Sequence, residues 1–244
     1  MRLEQNSRPG IGPASKSEKH PANSMRLGIA LPRFGELADP QSISRVAVRA
    51  EQLGYDSLWI LERDADGIPD ALTVFTYLAA RTRTIGLGTW LSAGACDANE
   101  LIARIGSANT MAAGRLSIAV THPAGYYDGS LAYHVPARLV EVSPEGRHVP
   151  VPGAAAVARL QVTYQPVEGQ RAAFAGSFDQ IADDIARYRA LGTSELILDL
   201  AYSASVSTVS DFLVHIERLR TAADPGFSAP AERSLVDDPF ESIT

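Results

Sequence analysis

Apolar residues recur along this chain with two periods. In Arg45–Trp59 (RVAVRAEQLGYDSLW) and again in Ile185–Leu200 (IARYRALGTSELILDL), a helical stripe runs to a glycine and then into a short, buried-type strand. The same helix–glycine–strand unit near both ends of one chain predicts a parallel sheet that closes on itself. A closed α/β barrel keeps its chemistry at the C-terminal rim of its strands. The pattern predicts strands at Arg26–Leu31, Tyr55–Leu61, Thr84–Leu91 and Arg115–Val120. It predicts helices from Asp39 onward, over Asp70–Arg81 and over Asp97–Ala112. Asp39 is placed to cap the first of these with Pro40 at its first position, and Gly54 to stop it.

The alternation then lapses. His122–Gln170 is interrupted by prolines and glycines, predicts no helix, and offers only a hairpin through Arg147–Val151 and a strand-like Leu160–Gln165. It resumes with a helix from Ser177 to Leu191, a strand at Glu195–Leu200 and a last helix over Val206–Ala222. The expected fold is a (β/α)8 TIM-type barrel, incomplete or truncated in its second half, because a full barrel takes about 250 residues.

Composition narrows the partners. A net charge of −6 and a pI near 5.4 argue against nucleic acid, which is usually met by a basic face. A single cysteine, Cys96, excludes an internal disulfide framework and fits a reducing compartment, so the expected location is cytoplasmic. No apolar run is long enough to span a membrane. Residues 1–24 lack the apolar core of a secretory signal and are expected to be a disordered leader; 25–223 form one barrel domain; 224–244, rich in Pro, Ser and acidic groups, are expected to be a disordered tail.

Five stretches, taken in order, carry a family resemblance: MRLGIALPRFG (25–35), AEQLGYDSLWI (50–60), RTRTIGLGTWL (81–91), AAGRLSIAV (112–120) and FAGSFDQIADDIARYRALGTSELILDL (174–200). Together they resemble the luciferase-like monooxygenases, a family that includes FMN-dependent monooxygenases and deazaflavin (F420)-dependent dehydrogenases. The resemblance implies a flavin across the C-terminal mouth, its ring over the ends of the early strands. Three departures stand out. The chain between strand four and the last helix pair is short, strand four ends in AVTHPAG (119–125) where a glycine pair is usual, and Glu62-Arg63 replaces the Asp-His pair common in F420-using members.

The rim rule selects Pro32, Arg33 and Phe34; Glu62, Arg63 and Asp64; Trp90, Leu91 and Ser92; Thr121 and His122; and Asp199 with Tyr202. By the resemblance, Thr89, Trp90 and Ser92 present backbone amides to the flavin edge, and a non-prolyl cis peptide is common in the family near Leu91–Ser92. Trp90 is equally readable as a core residue. Glu62 pairs an acid–base group with the fixed cation of Arg63, which suits an anionic substrate or a flavin phosphate; a solvated charge cluster is the plainer reading. Arg33 is placed to reach a phosphate or carboxylate across the mouth. His122 is a candidate general base or a donor to a flavin carbonyl, and equally a turn residue before Pro123. Arg115 opens strand four, a structural role. No histidine pair has metal-ligand spacing, so no metal site is expected.

Two functions compete on these residues. One is a flavin-dependent oxidoreductase using FMN or F420 on a small organic substrate. The other is a non-catalytic homologue, either a partner subunit or a binder of flavin or of a hydrophobic metabolite. A barrel short of wall exposes apolar surface, so a dimer is expected, with itself or with a related barrel subunit.

Overall fold

The computed structural model describes residues 25–31, 39–61, 70–90, 98–121, 137–142 and 152–231. The strands are β1 (Arg26–Ala30), β2 (Ser57–Leu61), β3 (Gly86–Trp90), β4 (Leu116–Thr121), β5 (Arg138–Val142), β6 (Ala155–Arg159), β7 (Gln161–Val162), β8 (Ala175–Gly176) and β9 (Glu195–Asp199). The helices are α1 (Pro40–Gln52), α2 (Ala71–Arg81), α3 (Ala98–Met111), α4 (Phe178–Ala190) and α5 (Val209–Ala223).

The helix starts follow from their caps. Asp39 accepts the Ser42 amide at 2.8 Å with Pro40 behind it, and Asp70 accepts the Thr73 amide at 2.9 Å. Ser177 with Gln180, and Thr208 with Asp211, close reciprocal capping boxes on α4 and α5. Gly54 and Gly192 take left-handed φ values of 69° and 81° as the chain leaves α1 and α4.

β1 to β6 and β9 form a closed ring of parallel strands in the order β1-β2-β3-β4-β5-β6-β9. β7 and β8 pair separately. The ring has seven strands among the described residues, one short of a full (β/α)8 barrel. The stretch 122–170, read as irregular apart from a hairpin and a strand-like Leu160–Gln165, holds two barrel strands that the reading missed, β5 and β6, and the short β7 within its strand-like part. RLVEV is too brief for its alternation to register, and AAVAR is alanine-rich, a composition poor in strand propensity; ring closure, not local preference, makes them strands. The hairpin read at Arg147–Val151 lies outside the described residues. The open side expected from the truncation is also corrected, because β9 pairs with both β6 and β1. The thinnest seam is β5–β6, registered at the single pair Val142 and Ala155.

Alternation along the strands divides the side chains between two layers. Leu27, Ile29, Leu58, Ile60, Leu87, Leu116, Ile118, Leu196 and Leu198 face outward into the core under the helices. Ala30, Trp59, Ala119, Val140, Val142, Ala155 and Ile197 fill the lumen. Gly28 and Gly88 lie on inner-face positions because the Trp59 indole occupies their space: a β-carbon on Gly28 would stand 2.6 Å from the Ser57 hydroxyl and 3.1 Å from the indole, and one on Gly88 would overlap the ring. The indole Nε1 donates to the Glu195 carboxylate at 3.0 Å, and Ser57 Oγ donates to the same oxygen at 2.5 Å. Glu195 is fully buried, and its other oxygen faces Arg138 at 3.2 Å and Arg26 at 3.8 Å. The N-terminal end of the barrel is thus closed by a charged, hydrogen-bonded floor.

The turns at that end are fastened by two further side chains. The Arg115 guanidinium donates to the carbonyls of Ala79, Thr82, Ile85 and Ala112 and to the Thr82 hydroxyl, tying α2–β3 to the entry of β4, the structural role expected of it. Glu51, at the end of α1, accepts the amides of Arg83, Thr84 and Ile85. Partial burial pushes the Glu51 carboxyl up, but these bonds outweigh it and hold the group below the usual glutamate range. Residues 224–231, read above as the start of a solvated tail, lie against the helices. Arg49, buried between α1 and α5, donates to the Pro230 carbonyl at 2.7 Å and to Glu217 at 2.6 Å, and the Arg220 guanidinium sits over the Phe227 ring.

Two outcomes test this packing. Gly88→Ala destabilises by about 1–3 kcal/mol through overpacking against Trp59, and Glu195→Ala by about 3–5 kcal/mol by leaving Arg26 and the indole N–H without their acceptor; Glu195→Gln costs less. Chemical denaturation of the three variants measures this, and wild-type stability in Glu195→Ala would refute it. Because the folded Glu51 is depressed below its unfolded value, its stabilisation is present above the ordinary glutamate pKa and is lost as the pH falls through the folded one. Melting temperatures between pH 7 and pH 3 should therefore fall less steeply for Glu51→Gln than for the wild type.

Candidate functional site

With the lumen filled at its middle by Trp59 and its N-terminal end occupied by Glu195 and its arginines, the C-terminal mouth is the end where an α/β barrel places its ligand. There the inner-face side chains change character. Leu61, Trp90 and Val157, at or near the ends of β2, β3 and β6, are half-buried, while Ala30, Ala119 and Val142 between them are buried and small. The described inner-face side chains at the mouth are thus apolar, with the half-buried Trp90 indole among them and Trp59 packed in the same cluster. On the β6–β9 side the rim turns polar. Arg159, the last residue of β6, is in register with Asp199, the last of β9. The Arg159 guanidinium lies 5.0 Å from the centre of the Tyr202 ring. Asp199 is buried and accepts the Ala201 amide at 3.0 Å, which fixes the turn that carries Tyr202.

The residues singled out from the sequence divide accordingly. Trp90 is on the inner face at the mouth. Thr89 is on the opposite face, fully buried, and its hydroxyl donates to the Ile60 carbonyl at 3.0 Å across the β2–β3 ladder. Its side chain therefore serves the sheet, and the residue is registered with Ile60 on β2 and Ile118 on β4. Asp199 and Tyr202 come together at the rim. Arg33, Glu62, Arg63, Ser92 and His122 lie outside the described residues, as does the Leu91–Ser92 peptide; among the described residues every peptide bond is trans. His215 is a packing residue: its Nδ1 meets the Asp211 carbonyl at 2.7 Å, Ser205 Oγ stands 3.0 Å from Nε2, and the ring lies against Phe178. Among the described residues no His, Cys, Asp and Glu side chains converge as a metal centre.

Arg159 escaped the sequence reading. Its signal was the end of an apolar run, AAVAR, but that run was not recognised as a barrel strand, so the rim rule was never applied to it. The mouth offers a flat aromatic group a half-buried indole to stack on, among small apolar side chains. A flavin fits that description.

Comparison with known proteins agrees over the part where the strands are most regular. Residues 20–121 match the luciferase-like monooxygenase family, the resemblance read from the sequence. No curated protein matches the chain significantly. Among solved structures, a monooxygenase from Streptomyces bottropensis superposes with a TM-score of 0.59 at 12% identity, covering 84% of this chain and 100% of its own. The coenzyme F420-dependent tetrahydromethanopterin reductase of Methanopyrus kandleri gives 0.59 at 10% identity, covering 84% and 99%. The EDTA monooxygenase of Chelativorans sp. BNC1 gives 0.61 at 9% identity, covering 84% and 95%. At these identities the likeness is one of fold. No helix among the described residues is long and apolar enough to cross a membrane.

The two tryptophans provide a check on the site's shape. Trp59 is sealed and Trp90 is half-exposed, so acrylamide should quench the wild type in part and leave the remaining emission of Trp90→Phe almost untouched. Strong quenching of the Trp90→Phe protein in its folded state would contradict a plugged lumen.

Proposed function

We propose, from the match of residues 20–121 to the luciferase-like monooxygenases, that the protein is a flavin-dependent oxidoreductase acting on a small organic molecule at its barrel mouth. The observation that supports this reading is the set of half-buried apolar side chains Leu61, Trp90 and Val157 at the strand ends, above a lumen filled by Trp59 and Glu195. FMN is the preferred cofactor and F420 the alternative, since Glu62-Arg63 replaces the Asp-His pair of F420-using members. When bound, a reduced flavin supplies a hydride or activates dioxygen.

The chain's own residues have the remaining tasks. Trp90 and Leu61 would hold a bound flavin ring, and the backbone of Thr89, Trp90 and Ser92 would supply its polar contacts. Arg33 and Arg63 compensate negative charge on the cofactor or the substrate. Glu62 and His122 move protons at the substrate. The protein works as a dimer in the cytoplasm, with a second copy or a related barrel subunit. The apolar surface to be covered is not a gap in the wall; support for a dimer comes instead from Met111, 65% exposed on α3 beside the groove between α2 and α3.

A second reading, a non-catalytic flavin or metabolite binder or partner subunit, draws on the short connections at 122–137 and 143–154, which leave little chain for the phosphate-binding helices of a full-length barrel. The two readings separate in one experiment. Titration with FMN and with F420, followed by tryptophan quenching, is expected to show micromolar binding of FMN that weakens roughly two- to tenfold in Trp90→Ala, the order of one lost aromatic contact. Oxygen consumption with pre-reduced FMN and a panel of small organic substrates then reports turnover. Binding without turnover supports the non-catalytic reading, and no binding of either cofactor by the folded protein overturns the first. Sedimentation velocity is expected to give a dimer that Met111→Glu weakens; a monomer at micromolar concentration would remove the dimer.

A further inference from the structure

Outside the lumen, the segment that joins β9 to α5 brings together a hydroxyl and an imidazole. The segment is fastened at two points. The Ser203 hydroxyl accepts the Val162 amide at 2.9 Å and donates to the Leu160 carbonyl at 3.0 Å, and Thr208 with Asp211 closes the capping box of α5. Between these points stands Ser205, half-buried, with its Oγ 3.0 Å from Nε2 of the buried His215. The other ring nitrogen, Nδ1, lies 2.7 Å from the Asp211 carbonyl. A carbonyl oxygen can only accept, so Nδ1 carries the ring proton and Nε2 of the neutral imidazole accepts from the Ser205 hydroxyl. Packing against Phe178, with ring centres 5.6 Å apart, holds the imidazole in place for both bonds. A hydroxyl, a base and a group that orients the base thus stand in the order an activated serine requires. The base is buried while the serine reaches the surface, so a reagent from solvent meets the hydroxyl first.

We propose that Ser205 is a nucleophile activated by His215, and that it takes acyl groups from small activated esters. Ser205 Oγ bonds to the acyl carbon while its proton passes to His215 Nε2. The ester C–O bond then breaks, the proton moves from Nε2 to the leaving alkoxide, and an alcohol departs from an acylated Ser205. Water, giving its proton to the same Nε2, releases the carboxylic acid and restores the hydroxyl. Throughout, the Asp211 carbonyl keeps the Nδ1 proton in place, so the base presents the same nitrogen at each step. The site lies apart from the inner-face residues of the mouth and does not rest on the flavin reading.

The test is covalent labelling of the whole chain with diisopropyl fluorophosphate, which loses fluoride to an activated serine, followed by peptide mapping. The expected result is an adduct on Ser205, with the exposed Ser207 and Ser210 of the same segment left unmodified. Cleavage of p-nitrophenyl acetate should fall at least roughly a hundredfold in His215→Gln, the lower end of what a positioned general base contributes, and as far in Ser205→Ala. His215 is buried, so melting temperatures are compared first. Ser205→Ala removes only a half-buried hydroxyl, and it decides the case if His215→Gln does not fold. No adduct on Ser205, labelling spread equally over Ser205, Ser207 and Ser210, or equal ester cleavage by the wild type and Ser205→Ala overturns the proposal and leaves Ser205 as a hydrogen-bond partner for a packed imidazole.

Discussion

The structure depends on one aromatic side chain and the carboxylate it is bound to. Trp59 lies across the lumen, and its bulk is accommodated because β1 and β3 present Gly28 and Gly88 on the facing inner positions. Its N–H needs an acceptor in a space without water, and Glu195 supplies one. Glu195 needs compensation for its buried charge, which Arg26 and Arg138 provide from neighbouring inner-face positions. Each of these residues makes sense only in the presence of the others, and they sit on five different strands. A ring of seven strands, closed at one seam by a single registered pair, gains from this interior network a connection that its backbone ladder provides only weakly.

The same network separates stability from function along the barrel axis. The N-terminal end carries the Glu195 floor, the Arg115 and Glu51 fasteners and the turns they hold, all aimed at the backbone. The C-terminal end carries half-buried apolar side chains with small neighbours and one stacked arginine, an arrangement with little to recommend it for packing alone. This is the division expected of α/β barrels, where binding groups gather at the strand C-termini. Trp59 forms the boundary between the two halves.

Much of this was readable from residue order. The cap at Asp39 and the glycine stops at Gly54 and Gly192 were legible, and the helix starts read at Asp70, Ser177 and Val206 fall within a few residues of the observed ones, because capping is a local interaction between near neighbours. Arg115 was placed correctly as a structural residue. β5 and β6 were missed because their strand state is imposed from outside: their ends are paired by β4 and β9, far away in sequence, and nothing local in RLVEV or AAVAR demands it. Arg159 was missed with them. Thr89 shows a different limit: it stands one residue from Trp90 at the mouth, yet strand alternation turns its hydroxyl to the opposite face and into a bond with Ile60. Proximity in sequence to a functional position says little in a strand until the face is known. The glycines of TIGLGTWL make room for Trp59, a partner that cannot be identified without the register between β2 and β3.

The central claim is that this barrel is closed below and open above Trp59, with its ligand at the C-terminal mouth. The measurement that tests it most directly is a crystal structure of the protein soaked with FMN. The account predicts ring density over Leu61 and beside Trp90, with Trp59 still hydrogen-bonded to Glu195. Flavin density at the N-terminal end of the barrel, or in the place of a displaced Trp59, would contradict it.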